Sequence, residues 1–289
     1  MNKIQILLSL FLTFTFASCG KNTNAEAQKQ TQRTTDLWER ALLPVAEFNE
    51  NCITALKLVD GKLYIASTIK NKDSYLVKVY IYDTIKNKAQ EVIGKLVTNG
   101  VDTVTEIRYD KKNNQIWLTT NGNGYLADCY DLKLNLVKCY SNVTSTSRVD
   151  SDREFLEKPD YMTEDLKSEI ERLKRSSLNI VVPDDQWVIF GYFKGNAYLY
   201  SCAEKKSTLV YDNHDIYYWP SCGAFNKEKA FIGSRGGGFV IVNTSDMKIK
   251  QYKLPGKDII SALAADDKYL WLGIGAAGLY KAEIDKLWK

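Results

Sequence analysis

The chain has 289 residues, with 39 Lys or Arg and 35 Asp or Glu, so its formal net charge is only +4 at pH 7. No block of like charge stands out, and this balance does not predict nucleic acid as a partner. Tyr and Trp are plentiful and Pro is scarce, and the length that remains after an export signal suits one β-rich domain or two small ones.

Residues 1–18 have the order of charged and apolar residues that is typical of an export signal. Lys3 supplies a positive charge, residues 4–16 form an almost unbroken apolar run, and two small residues follow. The run is too short, and is wrongly flanked, for a good membrane-spanning helix. This pattern predicts a chain that is exported and whose signal is removed.

The end of this signal resembles the lipobox of bacterial lipoproteins, in the looser form of the Bacteroidetes; it reads Phe16-Ala17-Ser18-Cys19-Gly20. The resemblance implies cleavage before Cys19, which then carries a diacylglycerol and further acyl chains such as palmitate. Each buried CH₂ contributes roughly 0.8 kcal/mol, so two or more chains anchor a protein stably in a membrane. An ordinary secretory signal with an incidental cysteine is the alternative.

Residues 19–35 contain no large apolar side chain after the cysteine. We predict a disordered tether, because such a stretch cannot bury enough apolar surface to offset its chain entropy. No acidic cluster follows Cys19 directly, and surface-exported lipoproteins of the Bacteroidetes often carry one. We therefore expect a protein of the cell envelope that is anchored in the outer membrane through the lipid on Cys19 and faces the periplasm.

A repeated unit of short strands organises residues 36–289. Each unit has an apolar strand, a second strand with a central aromatic residue, a third strand and usually a fourth; the aromatic strands are predicted at 63–68, 116–120, 187–191, 230–234 and 270–274. Four antiparallel strands in roughly 40 residues is the size of a propeller blade. The sequence therefore predicts an all-β fold, a five-bladed β-propeller. A split sandwich built from the same repeats is the alternative.

The fifth repeat lacks its fourth strand, and a candidate for that strand lies at the start of the domain. Residues 42–48 precede the first repeat in the way that residues 250–254 precede the fifth. We expect this N-terminal strand to complete the last blade. Closure of the ring in this way leaves only short, protected strand edges.

Three of the repeats resemble those of two-component regulator propellers. The fifth blade carries Leu270-Trp271-Leu272-Gly273-Ile274 and then Ala277-Gly278-Leu279-Tyr280, and segments 116–125 and 231–239 are similar in form. The resemblance implies propeller architecture. Propellers of that family usually form large arrays ahead of a membrane helix and a kinase, and this sequence contains neither, so we do not expect a sensor kinase.

The longest interruption of the repeat is an insertion at 141–177, between the second and third blades. Thr163 is a good N-cap, acids occupy the first turn after it, and apolar residues follow at i, i+4 and i+7, namely Leu166, Ile170 and Leu173. We predict a short amphipathic helix that lies over the ring. It would either cover apolar surface or act as a lid or partner-binding arm.

Propeller loops fall on two faces, and one face, which we name the top, carries the candidate binding residues. Links between blades and turns between second and third strands lie there, whereas the turns of the opposite face are short and charged. Exposed aromatic residues are typical anchors for sugars, peptides and proteins. The candidates are His214, Tyr217, Tyr218 and Trp219 in the link into blade 4, Arg235 before a glycine-rich turn, and Asn121 and Asn123 in the corresponding turn of blade 2. The aromatic residues could instead pack between blades.

These features favour a non-enzymatic binding module for a protein, peptide or glycan. The alternative is a glycoside hydrolase or lyase, and a hydrolase needs two carboxylates about 5–10 Å apart near the ring axis. Glu106 is an acid on a first strand, whereas Asp73, Asp128 and Asp215 lie elsewhere. His214 beside Asp215 has no nucleophile or ligand set at a known spacing, so we expect no cofactor and no metal.

Five cysteines follow Cys19, and their spacing matches no zinc site. Cys129 and Cys139 flank a predicted turn centred on Leu134. We expect them to lie directly opposite each other across two strands. In a compartment that permits disulfides, that arrangement would allow a bridge between them.

Overall fold

The computed structural model describes residues 42–49, 51–71, 74–97, 103–121, 126–140, 162–174, 176–193, 195–212, 219–236, 238–253 and 259–288. Within these ranges the strands form five four-stranded antiparallel sheets, and each sheet is one blade of a ring. The chain is a five-bladed β-propeller. The fold predicted from the repeat is confirmed.

The strands follow the predicted order along the chain. Blade 1 contains β2 (Cys52–Val59), β3 (Lys62–Asn71), β4 (Ser74–Asp83) and β5 (Lys88–Val97), and blade 2 contains β6 (Thr103–Asp110), β7 (Gln115–Asn121), β8 (Leu126–Tyr130) and β9 (Leu136–Tyr140). Blade 3 contains β10 (Leu178–Pro183), β11 (Trp187–Tyr192), β12 (Ala197–Ser201) and β13 (Lys206–Tyr211). Blade 4 contains β14 (Trp219–Phe225), β15 (Lys229–Arg235), β16 (Gly238–Asn243) and β17 (Ile249–Lys253). Blade 5 contains β18 (Ile260–Ala265), β19 (Tyr269–Ile274), β20 (Gly278–Glu283) and β1 (Leu42–Pro44). Two helices are described, α1 (Glu164–Leu173) and α2 (Ile284–Trp288).

The N-terminal strand closes the ring, as the sequence predicts. Strand β1 pairs antiparallel with β20, with Leu43 opposite Lys281. The chain then makes a 3₁₀ turn that buries Phe48, whose ring meets Tyr80 of blade 1 edge to face at 5.0 Å. The segment that directly precedes blade 1 in the sequence therefore completes blade 5 and also packs against blade 1, so that it holds the first and last blades together.

The first strand of every blade has a register shift at one short polar residue. These residues are Thr54, Thr105, Asn179, Ser221 and Ser261. Three of them donate to the backbone of the next blade: Asn179 to the Pro220 carbonyl, Ser221 Oγ to the Ile260 carbonyl at 2.7 Å, and Ser261 Oγ to the Ile53 carbonyl at 2.5 Å. The bulges thus fasten neighbouring blades around the central channel.

In blades 3, 4 and 5, a glycine in the second strand lets the first strand of the next blade approach closely. A Cβ on Gly233 would lie 2.7 Å from Ile260 Cγ2, and a Cβ on Gly273 would lie 2.8 Å from Ile53. Gly191 has the same relation to Pro220 of blade 4. In each case the residue just before the bulge of the next blade occupies the space that a side chain on the glycine would need.

Apolar clusters join four of the five pairs of neighbouring blades. They lie between blades 1 and 2, 3 and 4, 4 and 5, and 5 and 1. In the described part of the chain, no such cluster joins blade 2 to blade 3. In the sequence, the insertion at 141–177 lies between these two blades.

Helix α1 covers the flank of blade 3 at this interface. The Thr163 hydroxyl caps it by accepting from the Leu166 N–H at 3.3 Å, as predicted. Its buried residues, Leu166 and Ile170, pack against aromatic and aliphatic side chains of β11 and β12, namely Val188, Phe190, Tyr192, Tyr198 and Tyr200. The amphipathic pattern is confirmed, and the helix covers the surface of blade 3 that no apolar cluster of the described residues joins to blade 2.

The predicted position of this helix over the ring is wrong. The Tyr192 hydroxyl, at the top end of β11, donates to the Ile170 carbonyl at 2.5 Å, and Lys205 in the turn after β12 lies 2.7 Å from Asp165. Contacts at both ends of the blade place α1 along the flank rather than across the top. Apolar spacing shows that a helix has a buried face, but not which surface covers that face.

A buried carboxylate further ties α1 to the outer strand of blade 3. Glu169 accepts from the Arg172 guanidinium at 2.7 Å and from the Ser207 N–H at 3.2 Å. These bonds, with the Arg172 interaction the largest, lower the pKa of Glu169 to about 2. The carboxylate is thus held in its charged form against β13.

Among the described residues, no helix has the length and apolar character that crossing a membrane requires.

Candidate functional site

Two of the predicted binding residues lie side by side at the top of blade 4. Trp219 is the first residue of β14 and pairs with Arg235, the last residue of β15. The Arg235 guanidinium carbon lies over the indole ring, 5.4 Å from its centroid. A cation–π contact of this kind stabilises an exposed pair by roughly 0.5–1 kcal/mol. The sequence predicts both residues for this face, and the strand pairing brings them into contact.

The same indole also contacts blade 3. The Phe193 ring, which follows the end of β11, lies 4.7 Å from the Trp219 ring at a tilt of 54°. Trp219 is half-buried, Arg235 is exposed, and Phe193 is 38% exposed. The two blades therefore present a continuous aromatic and cationic surface across their interface.

Leu178 adds a second exposed apolar group at this end of blade 3. It pairs with Tyr192, and the Phe193 N–H donates to the Ser177 carbonyl at 2.8 Å, so Leu178 and Phe193 lie at the same end of the β10–β11 pair. Leu178 is 40% exposed. The residues at the same position in the other blades are buried; they are Ile53, Val104, Pro220 and Ile260.

We name Leu178, Phe193, Trp219 and Arg235 the top-rim patch. The other exposed large apolar residues of the described chain lie on outermost strands or on an outer turn, namely Leu43, Ile85, Leu136, Val137, Leu209 and Ile249. Scattered apolar residues at strand edges are normal on soluble proteins, whereas neighbouring ones beside Trp and Arg are typical of a binding surface.

The structure differs from the sequence analysis in where Trp219 lies. The sequence places it in the link before blade 4, but it already belongs to β14 and pairs with β15. Its contact with Phe193 agrees in part with the alternative that the aromatic residues pack between blades. Sequence reasoning missed Phe193 and Leu178, because exposure of a single apolar residue leaves no periodic signal.

The remaining predicted site residues lie outside what the structure describes. His214, Tyr217, Tyr218, Asn123 and Cys19 are outside the described residues. Asn121 ends β7 opposite Thr103, and its side chain is not among those described. These residues stay predictions.

The strand register corrects the expected arrangement of Cys129 and Cys139. Cys129 pairs with Lys138, and Cys139 pairs with Asp128, so the two cysteines are offset by one residue. The two residues are therefore not directly opposite each other, and the side chain of Cys139 lies outside what the structure describes. The Cys129 thiol lies 3.2 Å from Gln115 Oε1. The expected pairing of these two residues directly across the strands is wrong, and the bridge itself stays a prediction.

The first strands line the central channel, and their charged residues come mainly from blades 1 and 2. Lys57 of β2 is exposed although β2 is an innermost strand, because the channel admits solvent. Solvent reaches Lys57 through the channel, but the surrounding protein atoms displace part of its hydration, which lowers the pKa of Lys57, while the charges of Glu106 and Asp184 act to raise it. Glu106 itself forms an ion pair with Arg108 at 2.9 Å.

The five first strands carry two carboxylates, and both have partners among the described residues. Glu106 is in the ion pair with Arg108, and Asp110 accepts from the backbone and side chain of Asn113 in a turn at 3.1 and 2.7 Å. Within the described residues there is no group of three His, Cys, Asp or Glu side chains that could hold a metal ion.

Comparisons with known proteins give similarity of fold. No family model matches the chain, and no curated protein matches it significantly. A catalytically inactive virginiamycin B lyase from Staphylococcus aureus is 10% identical, with a TM-score of 0.44 over 84% of this chain and 98% of that one. A structural genomics protein of unknown function from Bacteroides thetaiotaomicron is 8% identical, with a TM-score of 0.43 over 84% and 75%.

The extracellular domain of a putative hybrid two component system from B. thetaiotaomicron is 15% identical, with a TM-score of 0.33 over 80% of this chain and 32% of that one. Identities this low and TM-scores below 0.5 carry no information about ligand or activity. The assignment of the fold rests on the strand order of the chain itself.

Proposed function

We propose that this chain is a non-enzymatic binding module of the cell envelope, which recognises a protein or peptide through the top-rim patch. The lipid on Cys19 holds it at the outer membrane, facing the periplasm, and the polar tether at 19–35 lets the top face turn towards a partner. The lipobox resemblance supports the anchor, and the patch supports the binding role.

The observation that carries this proposal is the stack of Arg235 on Trp219 beside Phe193. Trp, Tyr and Arg are the residues that dominate the binding energy of protein interfaces, usually next to apolar groups that exclude water. Here the indole holds the guanidinium in place before any partner arrives. Such preorganisation lowers the entropy that is lost on binding.

A peptide or protein fits this patch better than a neutral glycan does. Sugar rings bind by stacking on an open aromatic face. One face of Trp219 already carries the Arg235 guanidinium, and the Phe193 ring packs against the same indole in a tilted arrangement. The groups left exposed are a guanidinium and two separate apolar side chains, Phe193 and Leu178.

Capture from an envelope extract tests the proposal. We expect the full-length chain, immobilised in mild detergent, to retain a partner, and the double variant Trp219→Ala with Arg235→Ala to retain on the order of 10-fold less, because both anchors are lost. Trp219 is half-buried and Arg235 is exposed at the rim, so removing both side chains leaves the buried core in place, and circular dichroism should be unchanged. Mass spectrometry of the retained bands gives the ratio.

The matched control is Lys227→Ala with Asp267→Ala, which removes an exposed ion pair of 2.8 Å from the opposite face of blades 4 and 5. We expect this control to retain the partner to within about twofold, because surface pairs of this kind contribute little. Equal capture by the top-face variant and this control contradicts the proposal.

A further inference from the structure

We propose that the top-rim patch recognises an acidic side chain, Asp or Glu, in its peptide ligand, with an apolar neighbour on that ligand packed against Phe193 and Leu178. This inference rests on the proposed function, because it names the chemistry of the ligand at the same site. Arg235 binds the acidic side chain of the ligand, and the exposed apolar side chains of the patch contact the apolar neighbour of that acid.

The donors of Arg235 are available to a ligand. A guanidinium that stacks on an aromatic ring uses its flat face, and its five N–H donors point outwards in the plane of the group. Within the described part of the chain, Arg235 has its ring contact with Trp219 and no ion pair or hydrogen bond to another side chain. A carboxylate approaching in that plane can accept two of these bonds at once.

The indole also makes Arg235 a better carboxylate receptor than an isolated surface arginine. An exposed ion pair stabilises by little, partly because holding two long side chains in one geometry costs entropy. Here the strand pairing of Trp219 with Arg235 fixes the guanidinium beforehand. The ring also displaces water from one side of the charge, which strengthens its attraction to an anion.

The spacing of the patch fits adjacent side chains of an extended peptide. Trp219 contacts both binding groups, and its ring lies 5.4 Å from the Arg235 guanidinium carbon and 4.7 Å from the Phe193 ring, so the two groups are about 10 Å apart at most. Residues i and i+2 of a strand lie roughly 6.5–7 Å apart on one face. An acid at one of these positions therefore reaches Arg235 while an apolar residue at the other reaches Phe193.

Selection from a random 12-residue peptide library displayed on phage tests this inference. The immobilised targets are the full-length chain, Arg235→Gln, Arg235→Lys and Trp219→Ala. For the unaltered chain we expect selected peptides to be enriched several-fold in Asp or Glu two residues from an apolar residue. Arg235→Gln should select peptides without the acid, and Arg235→Lys should lose most of the enrichment because an ammonium cannot form the planar pair.

Lys227→Gln is the matched control, since it removes one positive charge from an exposed site on the opposite face of blade 4. It should select the same acidic peptides as the unaltered chain. Peptides that depend on Trp219 but lack the acid contradict this inference and leave the proposed function intact. Peptides that Trp219→Ala still selects, or an absence of any selected peptide, contradict the proposed peptide-binding function itself.

Discussion

Replacement of Gly278 by alanine is expected to open the ring. Gly278 begins β20 with φ of +110°, and a Cβ there would overlap the backbone carbonyl of Phe48, next to the strand that closes blade 5. Backbone atoms cannot move aside as a flexible side chain can, so β1 must separate from β20. We expect the free energy of unfolding to fall by about 4 kcal/mol or more, a loss typical of severe steric conflicts, and urea unfolding followed by tryptophan fluorescence measures it.

Gly61→Ala is the control, because it shows how much stability is lost through backbone strain without a steric clash. Gly61 also has a positive φ, of +73°, but the nearest atom to an added Cβ there is 4.0 Å away. A left-handed conformation costs a residue with a Cβ roughly 1–2 kcal/mol, so a loss of that size is expected for the control. If Gly278→Ala loses no more stability than Gly61→Ala, the closure described for blade 5 is wrong.

Leu166→Ala in helix α1 is the second change with a large expected effect. Leu166 is fully buried against blade 3, on the flank where the described residues form no apolar cluster with blade 2. Truncation of a buried leucine costs about 2–5 kcal/mol, because contacts are lost and a cavity remains. We expect a loss in this range, measured by urea unfolding.

Lys167→Ala is the control on the same helix. Lys167 forms an exposed ion pair of 2.6 Å with Glu164, and such a pair contributes less than about 1 kcal/mol. A similar small loss for Leu166→Ala and Lys167→Ala would mean that α1 does not seal this flank. Increased binding of a hydrophobic dye by Leu166→Ala alone would confirm that the flank of blade 3 has become accessible.

Fold and closure could be predicted because they leave local signals that repeat. Each blade supplies the same order of strands, and the fifth repeat lacks one strand that residues 42–48 can provide. The bulge residues leave a signal too. Near the start of every first strand, one short polar residue directly follows an apolar residue, as in Ile53-Thr54-Ala55 and Ile260-Ser261-Ala262. Their hydrogen bonds to the next blade could not be inferred, since these depend on the distance between blades.

The candidate site could be predicted only in part. Trp219 and Arg235 stand out by residue type and by their nearness to turns of the top face. Phe193 and Leu178 do not, because their exposure and the contact of Phe193 with Trp219 depend on how blades 3 and 4 meet in space. The cysteine pair shows the other limit: a register difference of one residue reverses the face of a side chain, and the sequence does not fix register that closely.

The central claim is that the top rim is the surface that contacts the partner. Photo-cross-linking in intact cells tests this claim most directly. A benzophenone amino acid replaces Phe193 in one full-length variant and Ile85 in another; Ile85 is 85% exposed and lies in the turn between β4 and β5 on the opposite face. We expect the variant at Phe193 to form a discrete adduct with a protein after irradiation, and the variant at Ile85 to form none. An adduct at Ile85 without one at Phe193 would contradict the account.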